Sequence, residues 1–470
     1  MLLRRIMRHE ARLLAADRTL LVVALILAAV VGYGVYNGAS WAAFQRATLH
    51  AAQAEEAARY QELRTRLGSP GDNRPLPPDQ VGLSLAARYA AMPPGPLASL
   101  VIGQSDLYPY YTLVTTANRQ SLLANDELEN PTHLLSGRFD LGFVVVALYP
   151  LVILALSYNL LSGEREQGTL VLVLSQPVGR RTLVLGKVLT RGLAVIGLAV
   201  AISVGGFLLA GGPTSSEGLA RLGLWLAVVS AYGAFWFALA VAINALGRGS
   251  ATNALALAGV WFLLVAIVPA AAALLVRVAY PVPSRVELIQ AVREASDQAK
   301  ADGPKLSARF LEAHPELARG QAEAKEFAVQ SLAVQDAAEA GVADVLRRFE
   351  TQLNHQQAVV DQLRFVSPAI ATLETLQDVA GTGSARYTHF ATQVDDFQER
   401  WRAEFRPRIL RGEPIRSGDL ERLPAFSFRE EPFQAVASRA LTGLTGLVLP
   451  ALVVGTFGLA ALRRYPVVGV

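Results

Sequence analysis

The sequence has no cysteine, three methionines and six histidines among 470 residues. Without cysteine there can be no disulfide and no thiolate metal site, and the compartment stays open on this ground. The histidines stand singly, with no pair at i,i+4 and no His-Glu-x-x-His, so a zinc hydrolase centre has no ligand set. Charge is also scarce. Charged residues make up 17% against 52% hydrophobic, whereas about a quarter is usual in a soluble chain. The mean hydropathy is positive, and the apolar residues come in blocks, the pattern of a polytopic membrane protein. The net charge of +4 reflects basic residues flanking these blocks, and nucleic acid is not an expected partner.

A phosphate loop is missing as well. The nearest approach is "GRRTLVLGKV" from Gly179 to Val188. Its glycines stand two residues too far apart, and Val188 follows Lys187 where Ser or Thr would hold magnesium. "GTG" at 381–383 reads as a turn. The acidic pairs Asp395-Asp396 and Glu430-Glu431 are adjacent in sequence, so they do not share a helix face as a catalytic pair would. No nucleophile motif occurs. The chain is expected to bind no cofactor and to catalyse nothing itself; any ATP and Mg belong to a partner.

Six runs are long and apolar enough to cross a bilayer: 19–37, 141–161, 193–211, 223–246, 254–276 and 440–462. The first is too long for the core of a signal peptide and reads as an uncleaved anchor. None carries Asp, Glu, Lys, Arg or His at its middle, which argues against an ion-coupled carrier. Arg4, Arg5, Arg8, Arg12 and Arg18 precede the first run. Arg165, Arg180, Arg181, Lys187 and Arg191 follow the second, Arg248 follows the fourth, and Arg463 and Arg464 follow the sixth. The short loop 212–222 has only Arg221. Basic flanks face the cytoplasm, which places both termini there. Residues 1–18 then form a cytoplasmic amphipathic helix, 162–192 a cytoplasmic loop and 463–470 a cytoplasmic tail. Residues 38–140 and 277–439 form two extracytoplasmic insertions. The fold class expected is an all-α polytopic membrane protein, six transmembrane helices with a mainly helical extracytoplasmic domain built from the two insertions.

Within the third run Gly197, Ala201 and Gly205 recur every four residues, a face suited to close packing, expected within the chain, with a subunit interface as the alternative. Outside the membrane, residues 41–67 continue the first helix as far as a Pro/Gly loop at 68–80. Tyr108, Tyr110 and Tyr111 are assigned to a groove, the membrane interface or a small core. Val334, Ala338, Val342, Val345, Phe349 and Leu353 form an amphipathic stripe, extended by Val360 and Leu363 and broken at "VSPAI", 366–370. Phe390, Val394, Phe397 and Trp401 form a second stripe, expected to cover the first together with residues 41–140.

The loop "LLSGEREQGTLVLVLSQPVGRRTLVLGK" resembles the matching loop of permease subunits of type-2 ABC exporters. In that family an E-R-E-x-G-T segment forms a short coupling helix that docks on the ATPase. The resemblance assigns this role to Glu164, Arg165, Glu166, Gly168, Thr169 and Pro177: charged groups to make contacts, Gly168 to end the helix, Pro177 to start the turn. "GQSDLYPYY", "LENPTHLLSGRFDL", "GRGSATNALAL" and the stretch 367–401 are similar to a bacterial branch with a large extracytoplasmic insertion. That branch is often described as linked to multicopper-enzyme maturation, although three Met and no Cys or His cluster give copper no substrate assignment here. The resemblance implies a bacterial inner-membrane subunit. Its partners would be an ABC ATPase, a second copy of itself or a sister permease, and the lipid bilayer, with an extracytoplasmic protein partner left open. A non-transporting scaffold or sensor is the alternative. Tags near residues 215 and 350 are expected to be labelled from outside the cell and one at 248 only after permeabilisation. Labelling at 350 only after permeabilisation would overturn the orientation.

Overall fold

The computed structural model describes residues 2–16, 18–68, 76–117, 139–281, 285–313 and 323–466. Most of the predicted Pro/Gly loop and the segment 127–138 lie outside these. Among the described residues six helices are long and apolar enough to cross a membrane: Ala24–Gly68, Leu141–Glu166, Arg180–Leu209, Ser216–Asn244, Ser250–Ala279 and Phe433–Arg464. They fall on the six predicted runs, and the protein is an all-α polytopic membrane protein. The third helix starts at Arg180 rather than 193. Its first three turns therefore lie within the stretch read as loop.

Span four is the central pillar. Trp225, Val228, Val229, Tyr232, Trp236 and Ala240 are fully enclosed by the surrounding helices. Spans five and six expose most of their apolar surface, with only 6% and 11% of the spanning window buried. The small-residue face of span three is also uncovered: a Cβ at Gly197 or Gly205 would meet nothing within 4 Å. The expected packing of this face within the chain is not observed, because the neighbouring helices contact span three on its other sides.

Spans two and five each contain a wider π-helical turn, Val144–Leu148 and Leu263–Ile267. Side chains from other elements bond to carbonyls within them. The Tyr232 hydroxyl donates to Val146 O at 2.9 Å, Trp261 Nε1 to Ala147 O at 3.1 Å and Ser367 Oγ to Leu264 O at 2.5 Å. The last of these shows that helix Pro368–Ala380 enters the bundle, since Leu264 lies near the midpoint of span five. Thr375 packs on Gly443 and Phe365 on Gly446 of span six, while Leu376, Val379 and Ala380 are fully buried. The sequence reading left this stretch outside as a helix break. At 13 residues, with Thr and Glu among them, the helix is too short to register as a span, which takes about 20 residues.

The first helix continues outward as part of a single 51-residue rod, Arg18–Gly68, about 75 Å long. Its far end supplies Tyr60, Leu63 and Leu67 to an outer core with Phe390, Phe397, Trp401 and Phe405 of helix Ser384–Arg411. A two-stranded antiparallel ribbon, β1 (Arg88–Ala91) and β2 (Tyr111–Val114), closes one side. Tyr110 is buried there, and Tyr108 stacks on Tyr387 at 4.2 Å. Trp401 Nε1 donates to Gly82 O at 3.0 Å.

The aromatic stripe is thus covered largely by the first rod and the ribbon region. The other stripe, on helix Glu323–Leu363, has a different cover: Val342 and Phe349 pack with Leu288 of helix Arg285–Ala301. Leu288, Val292 and Ala295 recur at helical spacing, so the two helices bury matching faces as a pair. Ion pairs Arg402–Glu339 and Arg406–Asp336 tie this pair to helix Ser384–Arg411.

Trp401→Ala is expected to destabilise the outer core by about 3–5 kcal/mol, the range for a buried aromatic. Thermal unfolding of the full chain in detergent measures it. Phe349→Asp is expected to open only the paired helices, giving protease cleavage between 285 and 363 while Trp401 stays buried. Cleavage unchanged from the wild type would contradict this packing.

Candidate functional site

The loop between spans two and three folds as two short helices, Ser162–Glu166 and Thr169–Leu174, joined at Gly168. Gly168 has φ +73° with open space around its Cβ position. Its requirement is therefore for a left-handed backbone, which favours glycine. Thr169 Oγ1 bonds back to Glu164 O at 3.2 Å. Pro177 is exposed in the link before Arg180. Beneath the loop lies an apolar platform of Leu160, Leu161, Leu170, Leu183, Val184, Val241 and Leu462.

All three charged residues of the Glu-Arg-Glu cluster have partners within this chain. Glu164 pairs with Lys187 at 2.8 Å, and the buried Lys187 Nζ also donates to Leu160 O at 2.8 Å. Arg165 donates to Gly247 O at 2.7 Å and Arg248 O at 3.0 Å, with its guanidinium 5.5 Å from the Tyr465 ring centre. Glu166 accepts from the Ser250 backbone N–H at 2.6 Å and from Ser250 Oγ at 2.8 Å. It therefore sits at the N-terminus of span five, where the helix dipole favours an anion. These charges therefore have partners within the chain, while Glu166 stays exposed to solvent. Their ligands lie on spans three and five and the link before span five, too distant in sequence to be read as partners.

Groups that sequence reasoning missed complete the cluster. Ser250 Oγ bonds Ser162 Oγ at 2.8 Å, Asn253 Nδ2 donates to Asn244 Oδ1 at 3.3 Å, and Asn244 Nδ2 donates to Ser157 O at 2.9 Å. Arg180 and Arg181 donate to Arg463 O and Leu459 O of span six, both at 3.0 Å. Asn244 and Asn253, lone amides beside apolar runs, were the available signal. Spans two to six are thereby fastened at one end. Outward, the loop presents Gln167, Thr169, Val171, Leu172, Ser175 and Gln176, all exposed, with Leu172 70% accessible. The exposed Glu166 adjoins this otherwise uncharged face.

Residues 111–268, which include this loop, match the family described as ABC-2 family transporter protein. This part of the chain is similar to that family. Residues 285–429 match a domain of unknown function, DUF3526. Among curated proteins the chain is similar to the Probable ABC transporter permease protein NosY of Pseudomonas aeruginosa. Identity there is 35% over 123 residues, 25% of this chain and 44% of the relative. The protein of the same name from Stutzerimonas stutzeri is 42% identical over 66 residues, 14% of this chain and 24% of that one. The chain thus spans less than half the length of these curated relatives.

Lys187→Met is expected to loosen the loop by about 1–3 kcal/mol, less than for a fully buried pair because Glu164 keeps some solvent contact. Thermal unfolding should show recovery when Glu164→Gln is added. A double variant no better than the single one would count against the pairing.

Proposed function

We propose that this permease is the membrane subunit of an ATP-driven exporter or mechanotransmitter. A separate ATPase, carrying ATP and Mg, docks on the loop between spans two and three. The permease works as a homodimer or beside a sister permease in a bacterial inner membrane, with both termini in the cytoplasm. One observation carries this reading: the loop is fastened to spans three and five yet leaves an exposed, largely uncharged face around Val171 and Leu172. Apolar area of this kind, rimmed by polar side chains, fits a protein partner. The inward charges hold the loop rigid, so a push on its outer face is delivered to several spans together. Gly168, Thr169 and Pro177 shape the docking surface, while Glu164, Arg165 and Glu166 position it.

The alternative, a scaffold or sensor, draws on the size of the outer unit. Co-purification with the ATPase and measurement of its turnover separate the two. Leu172→Asp is expected to abolish co-purification, since a charge enters the centre of the contact, and to leave the unfolding temperature of the permease alone unchanged. Glu164→Ala with Glu166→Ala is expected to weaken assembly and also to lower that temperature. Full assembly and coupled turnover in Leu172→Asp would remove the docking face from this account.

A further inference from the structure

The N-terminal helix Leu2–Ala16 is anchored on span three at two points. Ile6 fits against Gly186, where a Cβ would come within 2.5 Å of it, and the buried Glu10 carboxylate accepts from Arg191 Nε at 2.7 Å. Beside these anchors a groove of about 1040 Å³ remains open between helix and span. Arg4, Arg5 and Arg8 line it together with Leu14, Leu193 and Ala194. The three arginines are exposed, and among the described residues none has a carboxylate partner. Glu10 is the only acidic residue of this helix, and it is committed to Arg191.

The depth of the groove decides what fits it. Arg191 is the last charged residue of the span-three helix; from Gly192 to Leu209 the helix is uncharged. Leu193, 66% accessible, therefore lies in the first turn within the hydrocarbon, while the guanidiniums belong to the helix at the membrane surface. We propose that this groove binds one anionic phospholipid from the leaflet on the side of the termini. The headgroup phosphate bonds to Arg4, Arg5 and Arg8, and the upper acyl chain lies along Leu193 and Ala194. Guanidinium forks match phosphate oxygens, and the groove offers no anion to a choline group. A lipid held here touches both the N-terminal helix and span three, the helix that also receives Glu164 of the loop through Lys187.

The test uses the full chain in detergent with phosphatidylglycerol or phosphatidylcholine, bound lipid being read by native mass spectrometry. The wild type is expected to prefer phosphatidylglycerol. Arg4→Gln, Arg5→Gln and Arg8→Gln together are expected to lower that preference by up to about a hundredfold, roughly fivefold for each basic residue near the surface. Arg180→Gln with Arg181→Gln, whose side chains bond to span six, should leave it unchanged. Leu193→Trp, which fills the groove with every arginine in place, should also lose the preference and serves as the readout if the triple variant misfolds. An unchanged preference in the triple variant or in Leu193→Trp overturns the site. Equal loss in Arg180→Gln with Arg181→Gln reduces it to diffuse surface charge and overturns it too. Displacement of the lipid by glycerol phosphate at equal concentration would mark a phosphate site rather than a lipid site, again overturning the proposal.

Discussion

A helix in hydrocarbon has no water to satisfy any backbone group that its own turns leave free, and this constraint organises the bundle. At several places where the regular helices widen or end, a side chain from another element supplies the bond. Tyr232 and Trp261 serve the wide turn of span two, and Ser367 serves that of span five. Asn244 reaches Ser157 O near the end of span two, and Arg165 caps the carbonyls that follow span four. Because each bond joins different elements, the backbone cannot be satisfied without fixing the helices relative to one another. The polar side chains within the bundle thus act as fasteners.

Under the proposed function these fasteners define what can move together. Span four is bonded near the loop through Asn244 and at its other end through Arg221, which donates to Val379 O at 3.2 Å. Val379 belongs to the inserted helix, and only the turn Gly381–Gly383 separates that helix from Ser384–Arg411, the centre of the outer core. Displacement of the loop is therefore opposed or transmitted by a rigid rod ending at the outer unit. Spans five and six, with their faces open, are the elements free to meet lipid or a second subunit. The open Gly197–Gly205 face of span three falls in the same class.

The sequence made legible whatever depends on long-range averaging of apolar character. Six spans need only runs of about 20 residues, and the N-terminal helix and the outer stripes need only a period of 3.6. Features that depend on one bond between distant residues were not legible. The Glu-Arg-Glu cluster was located, but Lys187 and Ser250 meet it only after the bundle closes. The ribbon strands are four residues each, below the length at which alternation carries a signal. Helix Pro368–Ala380 mixes Thr, Glu and Gln with Ala and Leu because it packs on protein as well as entering the bundle. The stripe at Val342 and Phe349 was readable, whereas its cover was assigned to the wrong neighbour. Several apolar faces of similar size competed for it, and periodicity does not choose among them.

Arg221 shows how a single residue can carry two readings. As the only basic residue in the loop 212–222 it entered the orientation argument as a weak exception. In the structure it is 1% exposed, paired with Glu217 at 2.9 Å, with another guanidinium nitrogen on Val379 O. A buried cation is costly unless it is paired and its donors are used, and both conditions hold here. Arg221 is therefore a structural residue. It fixes the inserted helix to span four at the level where the bundle gives way to the outer unit.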